Sequence, residues 1–189
     1  MPLRFSVTKT CVYCFVLLSI TGVSITGFAQ STGRQQRSIS VQENFSAEEE
    51  GVKKPVPLPV DVLKILAQDE RVRRQMEKED PKPAEVPGSW FSASEIRLGP
   101  SKESDLIVQA TGPLVGANIV VFWVFIRAGD RWKMALMVPA HDLRVMRKHN
   151  DEYRNIEASG ETCCTITMGR FRFDGSHYQK YFEKTEDIK

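Results

Sequence analysis

The feature that most limits the fold of this chain is an unbroken apolar run at residues 119–126. The run reads Ile-Val-Val-Phe-Trp-Val-Phe-Ile. A membrane-spanning helix needs about 20 apolar residues, so this run is too short for one, and its β-branched and aromatic side chains favour a strand. Successive side chains of a strand point to opposite faces, so both faces must be covered. A second sheet can cover one face of the strand. The other face must be covered by the helix predicted below, by N-terminal strands or by another subunit.

Short strands separated by turns fill the last hundred residues. Apolar and polar side chains alternate, most clearly where Trp132, Met134 and Leu136 alternate with Lys133 and Met137. We therefore predict a mainly β domain at residues 88–185, an antiparallel sandwich or barrel-like meander of about eight strands preceded by one amphipathic helix. The predicted strands are residues 90–98, 106–110, 119–126, 131–138, 142–148, 152–158, 162–173 and 177–183. In the strand at 162–173 the apolar phase shifts near Gly169, which predicts a β-bulge there.

The amphipathic helix is predicted at residues 60–80. Asp61 is a plausible N-cap, and Val62, Val72 and Met76 recur at helical spacing, interrupted only by Asp69. Pro81 and Pro83 then end the pattern. Before the helix, residues 30–59 are polar and without periodicity, and they close with alternating prolines that favour an extended polyproline II conformation. We predict a flexible polar and Pro-rich tether at 30–59.

The N-terminus has the pattern of a signal peptide. Arg4 and Lys9 precede the apolar residues 11–20, and Gly27-Phe28-Ala29 places small residues where a signal peptidase cleaves. We predict a signal peptide at residues 1–29 and an exported protein, periplasmic or extracellular, without a stable membrane span after cleavage. The alternative is that the segment is kept as an anchor.

The charge balance disfavours nucleic acid as a partner. Residues 1–29 contain two of the 26 basic residues and none of the 24 acidic ones, so the mature chain has a formal net charge of zero. Neither half of the remaining chain has a large excess of one sign. Nucleic-acid binding requires a basic surface, so we expect none.

Two cysteines, Cys163 and Cys164, remain after signal cleavage. In an extended strand their sulfurs would diverge, and a ring between neighbours would require a distorted backbone. We therefore expect no disulfide, with Cys164 in the core and Cys163 on the other face. The alternative is a vicinal redox disulfide.

The histidines do not form a metal or catalytic motif. His141, His149 and His177 show neither a two-histidine helical spacing nor a nearby cysteine pair. We predict no catalytic residue, no metal and no cofactor. Histidine and tyrosine side chains at turns and strand ends are instead the candidate ligand-binding residues, and these are Tyr153, His177, Tyr178 and His141.

Three segments carry a resemblance to known proteins. They are Gly116-Ala117-Asn118 through Phe122-Trp123-Val124-Phe125, the stretch from Asn150 to Ile156, and the stretch from Phe171 to Tyr178. The C-terminal half that contains them resembles small exported bacterial β-proteins and, more distantly, periplasmic lysozyme inhibitors. The resemblance implies export and a β architecture, and the inhibitors are β-sandwiches that plug an enzyme cleft with a loop.

The function expected from these features is that of a non-catalytic, exported binding or interaction protein. Its ligand would be a protein or a component of the cell envelope. One alternative is a periplasmic inhibitor of a cell-wall hydrolase. Another is a hydrolase or redox enzyme that uses Cys163 or His141, and a third is a structural subunit that forms a homo-oligomer.

Overall fold

The computed structural model describes residues 42–48, 51–80, 85–147 and 153–188. Within these ranges the chain forms two α-helices, two one-turn 3-10 helices and nine β-strands. The α-helices are α1 (Val60–Leu66) and α2 (Glu70–Glu79), and the 3-10 helices are Gly88–Trp90 and Gly112–Leu114. The strands are β1 (Asn44–Ser46), β2 (Phe91–Ile96), β3 (Asp105–Ala110), β4 (Val120–Ala128), β5 (Arg131–Ala140), β6 (Asp142–Val145), β7 (Ile156–Glu161), β8 (Thr165–Phe173) and β9 (Tyr178–Asp187).

The strands form two antiparallel sheets that pack on each other. The four-stranded sheet has the order β2-β3-β4-β5, and the five-stranded sheet has the order β1-β6-β7-β8-β9. Each sheet is thus a meander of four consecutive strands, and β1 is added to the second at the side of β6. Each of the eight predicted strands overlaps an observed one, which confirms the mainly β prediction. The described strands form no closed barrel.

The apolar run at 119–126 lies in β4, and its alternate side chains belong to two different cores. Val120, Phe122 and Val124 face the five-stranded sheet, where they pack with residues such as Leu143 and Ile156. The opposite side chains, Val121, Trp123 and Phe125, face α1 and α2. Four helix residues cover them, and these are Val62, Leu66, Val72 and Met76. The second face of this strand was predicted to be covered by the helix, by N-terminal strands or by another subunit. The structure shows that the helices cover it.

The helical segment differs from the prediction of one helix at 60–80. Asp69 has an extended backbone and caps α2, because its Oδ1 accepts a hydrogen bond of 2.9 Å from the Arg71 backbone N–H. Its Oδ2 accepts a bond of 3.1 Å from Nε1 of the buried Trp123. One carboxylate therefore caps the start of α2 and ties it to β4, whereas α1 already ends at its C-cap, Ala67. Asp61, the predicted N-cap, lies in the first turn of α1 instead.

The prediction of a flexible tether at 30–59 is wrong for the part of it that the structure describes. β1 pairs with β6, and the Phe45 ring is 1% exposed in the core between the sheets. The Val56 backbone N–H donates a 2.9 Å hydrogen bond to the Ala93 carbonyl, and Gln109 Nε2 donates one of 3.1 Å to the Ser46 carbonyl. Residues 30–41, and the predicted signal peptide at 1–29, lie outside the described residues. A strand of three residues is too short to show a periodic pattern.

The bulge predicted at Gly169 lies instead on the neighbouring strand. Gly169 pairs with Glu183 in regular register, and the register shifts between Arg170 and Phe171. Arg170 pairs with Phe182 and Phe171 with Lys180, so the extra residue is Tyr181 on β9. The bulge therefore changes how β9, rather than β8, presents its side chains.

Candidate binding surface

Two of the predicted ligand-binding residues, Tyr178 and Tyr153, are packing residues. Tyr178 is buried, its hydroxyl donates a 2.9 Å hydrogen bond to the Arg154 carbonyl, and burial raises the pKa of the hydroxyl. The rings of Tyr153 and Tyr178 both contact the Phe173 ring, with centroid distances of 4.2 and 5.4 Å. A ligand-binding side chain must be accessible, and Tyr178 is buried while Tyr153 is half-buried. Both stabilise the end of the β8–β9 hairpin.

His177 lies at the exposed tip of the same hairpin. Its backbone N–H and that of Ser176 each donate a 2.8 Å hydrogen bond to Asp174 Oδ1. These two bonds lower the pKa of Asp174 to about 2. The His177 ring is 3.5 Å from Asp174 Oδ2, measured from Nδ1. The structure therefore places His177 in a turn that its neighbours already order.

His141, between β5 and β6, is held between two carboxylates. Its Nδ1 is 3.1 Å from Asp142 Oδ2, and its Nε2 is 3.4 Å from Glu48 Oε1. The hydrogen bond with Asp142, supported by Glu48, raises the pKa of His141, although partial burial acts in the opposite direction. The His141 side chain thus joins the start of β6, at Asp142, to Glu48.

The raised pKa of His141 predicts a pH dependence of stability. The folded protein binds this proton more tightly than the unfolded chain, so the stabilisation is complete below pH 6.5, the ordinary pKa, and is lost as the pH rises through the folded-state value. Urea unfolding of His141→Gln should show a flatter profile than wild type above pH 6.5. Met137→Ala, at an exposed site without a titratable group, is the control and should keep the wild-type slope. Equal slopes in wild type and His141→Gln would contradict the assignment.

Cys163 and Cys164 do not occupy opposite faces of a strand. β7 ends at Glu161 and β8 begins at Thr165, so both cysteines lie in the turn. Both are exposed, and their Sγ atoms are 2.8 Å apart. The expectation of a core Cys164 is therefore wrong. Among the described residues, the polar partners of His141 are Asp142 and Glu48, and the polar partner of Cys163 is Cys164. These contacts therefore do not pair a Cys163 nucleophile with a His141 base.

Two exposed aromatic side chains lie next to each other on the outer side of β8 and β9. Tyr181 is 45% exposed and Phe182 is 37% exposed. The guanidinium carbon of Arg172 is 5.1 Å from the Tyr181 ring centroid, and that of Arg170 is 5.1 Å from the Phe182 ring centroid. These are cation–π distances. We call Arg170, Arg172, Tyr181 and Phe182 the β8–β9 surface.

The local sequence and the bulge together explain this arrangement. Residues 170–173 read Arg-Phe-Arg-Phe, and the two phenylalanines pack against the core between the sheets. Because strand side chains alternate, the two arginines face outward. The extra residue Tyr181 lies beside Phe182, so two aromatic rings that follow each other in sequence are both available to the arginines.

The position of Arg170 is fixed by a carboxylate that is almost completely buried. Glu157 Oε2 accepts a 2.7 Å hydrogen bond from Arg170 Nε, and Oε1 accepts one of 2.5 Å from Arg144 Nη2. Glu157 lies on β7, which pairs with β8. The arginine that stacks on Phe182 is thus oriented before any ligand arrives, which lowers the entropic cost of binding.

Arg172 is the cation of the surface with free hydrogen-bonding capacity. Its described contact is the Tyr181 ring, and no carboxylate of the described residues pairs with it. A guanidinium has five N–H donors, and a cation–π contact does not require any of them to bind an oxygen. Arg172 can therefore still bind a carboxylate through two parallel hydrogen bonds.

Sequence reasoning missed this surface. Tyr181 and Phe182 were placed in a strand at 177–183, but their joint exposure depends on a bulge, which has no clear signal in this strand. The Arg-Phe-Arg-Phe alternation at 170–173 was the available signal, since it predicts two arginines on one face.

Two open depressions share Gln42, Asn44 and Lys53 in their linings. The larger has a volume of about 750 Å³ and lies between residues 42–44, residues 53–56 and β2, with both Lys and Glu side chains in its lining. The smaller, of about 440 Å³, includes Asp142, Arg144 and Glu157. Glu157 links the smaller depression to the β8–β9 surface. Within the described ranges, no group of three or more His, Cys, Asp or Glu side chains is placed to hold a metal ion.

Comparison with protein-family models, curated proteins and solved structures gave no match. The resemblance to exported β-proteins and lysozyme inhibitors therefore stays an expectation. Of the helices that the structure describes, none is long and apolar enough to cross a membrane.

Proposed function

We propose that this chain is an exported, non-catalytic interaction protein that binds a protein partner through the β8–β9 surface. The observation that carries the proposal is the position of the Arg170 and Arg172 guanidinium groups over the exposed rings of Phe182 and Tyr181, at cation–π distance. Arginine and tyrosine are among the residues that contribute most to binding energy at protein interfaces. The partner would present carboxylates beside apolar side chains.

The chemistry of the surface favours an acidic partner. Glu157 already partners Arg170, whereas Arg172 retains its donors for a ligand. A carboxylate that approaches the edge of the Arg172 guanidinium would also contact the Tyr181 ring beside it. Apolar groups of the partner would cover Tyr181 and Phe182, and excluding water from the rings would strengthen the ion pair.

The position of the surface favours a protein over a small ligand. β9 pairs with β8 and is the last strand in the order of its sheet. The surface is at the edge of the sheet and lines neither of the two depressions described above, and small-molecule sites are usually concave. Charged residues such as Lys180, Glu183 and Lys184 along β9 protect its edge from indiscriminate strand pairing, which leaves the aromatic side chains as the specific contact.

Site-specific photocrosslinking in living cells tests this proposal. Tyr181 in the full chain is replaced by the photoreactive amino acid benzoylphenylalanine, and the cells are irradiated. We expect a covalent adduct of one discrete mass that contains a second, different protein with an acidic surface. Adding Arg172→Ala should reduce the adduct by about tenfold, because interface hot spots of this kind contribute more than 1 kcal/mol.

The control places benzoylphenylalanine at Met137. Met137 is also exposed and lies on β5, the edge strand of the four-stranded sheet. Equal adducts from positions 137 and 181 would contradict a specific surface at β8–β9. An adduct with an envelope polymer, or one with a second copy of this chain, would also contradict the proposal and would favour the envelope-ligand or homo-oligomer alternative. A cell-wall hydrolase as the partner would assign the protein as an inhibitor.

Export is tested by fractionating the same cells and sequencing the N-terminus of the recovered protein. The mature protein recovered with the envelope or medium should begin at Gln30, the residue after the predicted cleavage site. Full-length protein that starts at Met1 and is recovered with cytosolic proteins would contradict the export part of the proposal.

A further inference from the structure

The turn between β7 and β8 brings two thiols together at the surface. Cys163 and Cys164 occupy the turn, both are exposed, and their sulfurs are 2.8 Å apart. A disulfide bond has a length of about 2.05 Å, so the sulfurs are less than an ångström from bonding distance. This convergence does not occur between neighbours in an extended strand.

Two threonines hold this turn closed. The Thr162 backbone N–H donates a 2.9 Å hydrogen bond to the Thr165 carbonyl, and the Thr165 N–H donates one of 3.0 Å to Thr162 Oγ1. The two threonine hydroxyls are 2.8 Å apart, within hydrogen-bond distance. The residues on either side of the cysteine pair are therefore fixed to each other by both backbone and side chain.

A third strand supports the turn from the side. The backbone N–H of Ile188, the residue after β9, donates a 2.8 Å hydrogen bond to the Cys164 carbonyl. The Cys164 N–H is also 3.4 Å from Thr162 Oγ1. The backbone of Cys164 thus has partners on both sides, so the proximity of the sulfurs is a property of the folded hairpin.

We propose that Cys163 and Cys164 are a redox modification site, a vicinal dithiol that closes reversibly to a disulfide by exchange with a disulfide-containing molecule. Exchange requires a thiolate that can be reached, and both sulfurs are exposed. A ring between adjacent residues is strained, and strained or exposed disulfides are the ones that thiols reduce readily. Reversibility therefore follows from the same geometry. This inference does not rest on the proposed binding function.

The exchange takes place in two steps that balance. The Cys163 thiolate attacks one sulfur of the co-reactant, forms a mixed disulfide and releases the other half as a thiolate. The Cys164 thiol then loses its proton to solvent and attacks the Cys163 sulfur, which releases the second half as a thiolate. Two protein thiols are oxidised by two electrons, and one disulfide is reduced to two thiols.

The same two steps lead to the disulfide whichever sulfur attacks first, because either Sγ can be the donor of the hydrogen bond between them. Cys163→Ser and Cys164→Ser should therefore each retain one glutathione on the remaining cysteine and form no ring.

Oxidised glutathione is the probe that tests the site. The folded full chain is incubated with it, remaining thiols are alkylated, and the protein is cleaved with trypsin. Peptide 155–170, between Arg154 and Arg170, contains Cys163 and Cys164 but neither Cys11 nor Cys14. We expect this peptide to lose two hydrogens, through the internal disulfide, and to recover both thiols when reduced glutathione is added.

Two controls separate the folded turn from ordinary thiol chemistry. Cys164→Ser should retain glutathione on Cys163 and form no ring. In denaturant, the ratio of internal disulfide to glutathione adduct in the wild type should fall by at least about tenfold, because the turn no longer holds the sulfurs together. Glutathione adducts without ring closure in the folded wild type, an unmodified peptide, or an equal ratio in the folded and denatured states would each overturn the proposal.

Discussion

Replacing Phe45 with alanine should lower the free energy of unfolding by about 3–5 kcal/mol, the usual cost of deleting a buried phenylalanine ring. Phe45 lies opposite Leu143 in the β1–β6 pair, and its ring is inside the core between the sheets. The expected loss is large because the cavity would be lined by residues from both sheets, which cannot collapse around it. Urea unfolding of the full chain, followed by fluorescence, gives the value.

Asn44→Ala is the matched control for this prediction. Asn44 is exposed on the same strand, opposite Arg144. We expect its replacement to change the free energy of unfolding by less than about 0.5 kcal/mol, as surface substitutions usually do. A loss below about 1 kcal/mol for Phe45→Ala would mean that the N-terminal segment is the tether that its composition suggests, and that β1 is not part of the stable domain.

Asp105→Ala should lower the free energy of unfolding by about 2–4 kcal/mol. The buried Asp105 carboxylate accepts a 2.9 Å hydrogen bond from the Leu98 N–H and one of 3.0 Å from the Arg127 N–H. Alanine leaves both donors without this acceptor, and an unsatisfied buried donor costs about 1–3 kcal/mol. Because Arg127 is partly exposed, we expect the cost of leaving its N–H without an acceptor to be near the lower end of that range.

The pH dependence of this loss has a defined sign. Burial raises the pKa of Asp105 above its ordinary value of 3.8. The stabilisation that follows from this shift is complete below pH 3.8 and is lost as the pH rises through the folded-state pKa, so the loss in Asp105→Ala should be greater in acid than at neutral pH. Lys102→Ala, at an exposed neighbouring site, is the control and should change the free energy of unfolding little at either pH. A loss that grows with rising pH would contradict the assignment.

The sequence predicts the parts of the fold that depend on long or strongly patterned segments. The run at 119–126 is apolar at every position, and this alone requires a strand with two covered faces. A helix is among the predicted covers of this strand because Val62, Val72 and Met76 are spaced for one helical face, and the structure shows helices in that position. These predictions succeed because burial of apolar area dominates the energetics of such segments.

The features that the sequence does not predict depend on contacts between distant residues. Asp69 interrupts the apolar pattern of the helix, but only the indole N–H of Trp123, far away in sequence, explains why a carboxylate lies there. β1 has three residues, and its pairing with β6 cannot be read from its own pattern.

The cysteine pair shows how a small error in a boundary changes a chemical conclusion. The predicted strand at 162–173 includes both cysteines, whereas β8 begins at Thr165. In a strand the sulfurs point apart; in the turn they converge. A shift of three residues therefore separates an inert pair from a reactive one.

The residues of the β8–β9 surface were predicted as strand residues, but the bulge that exposes Tyr181 beside Phe182 depends on the pairing of β8 with β9.

The most direct test of the account is the affinity of the crosslinked partner for a Tyr181→Ala, Phe182→Ala double variant. Binding is measured by calorimetry with purified full chain, after unfolding experiments confirm that the variant is folded. We predict a dissociation constant at least about 30-fold higher than that of wild type, equivalent to a hot-spot loss of about 2 kcal/mol, and no change in Met137→Ala. A dissociation constant for the double variant within about twofold of wild type, or an equal loss in Met137→Ala, would contradict the assignment of β8–β9 as the binding surface.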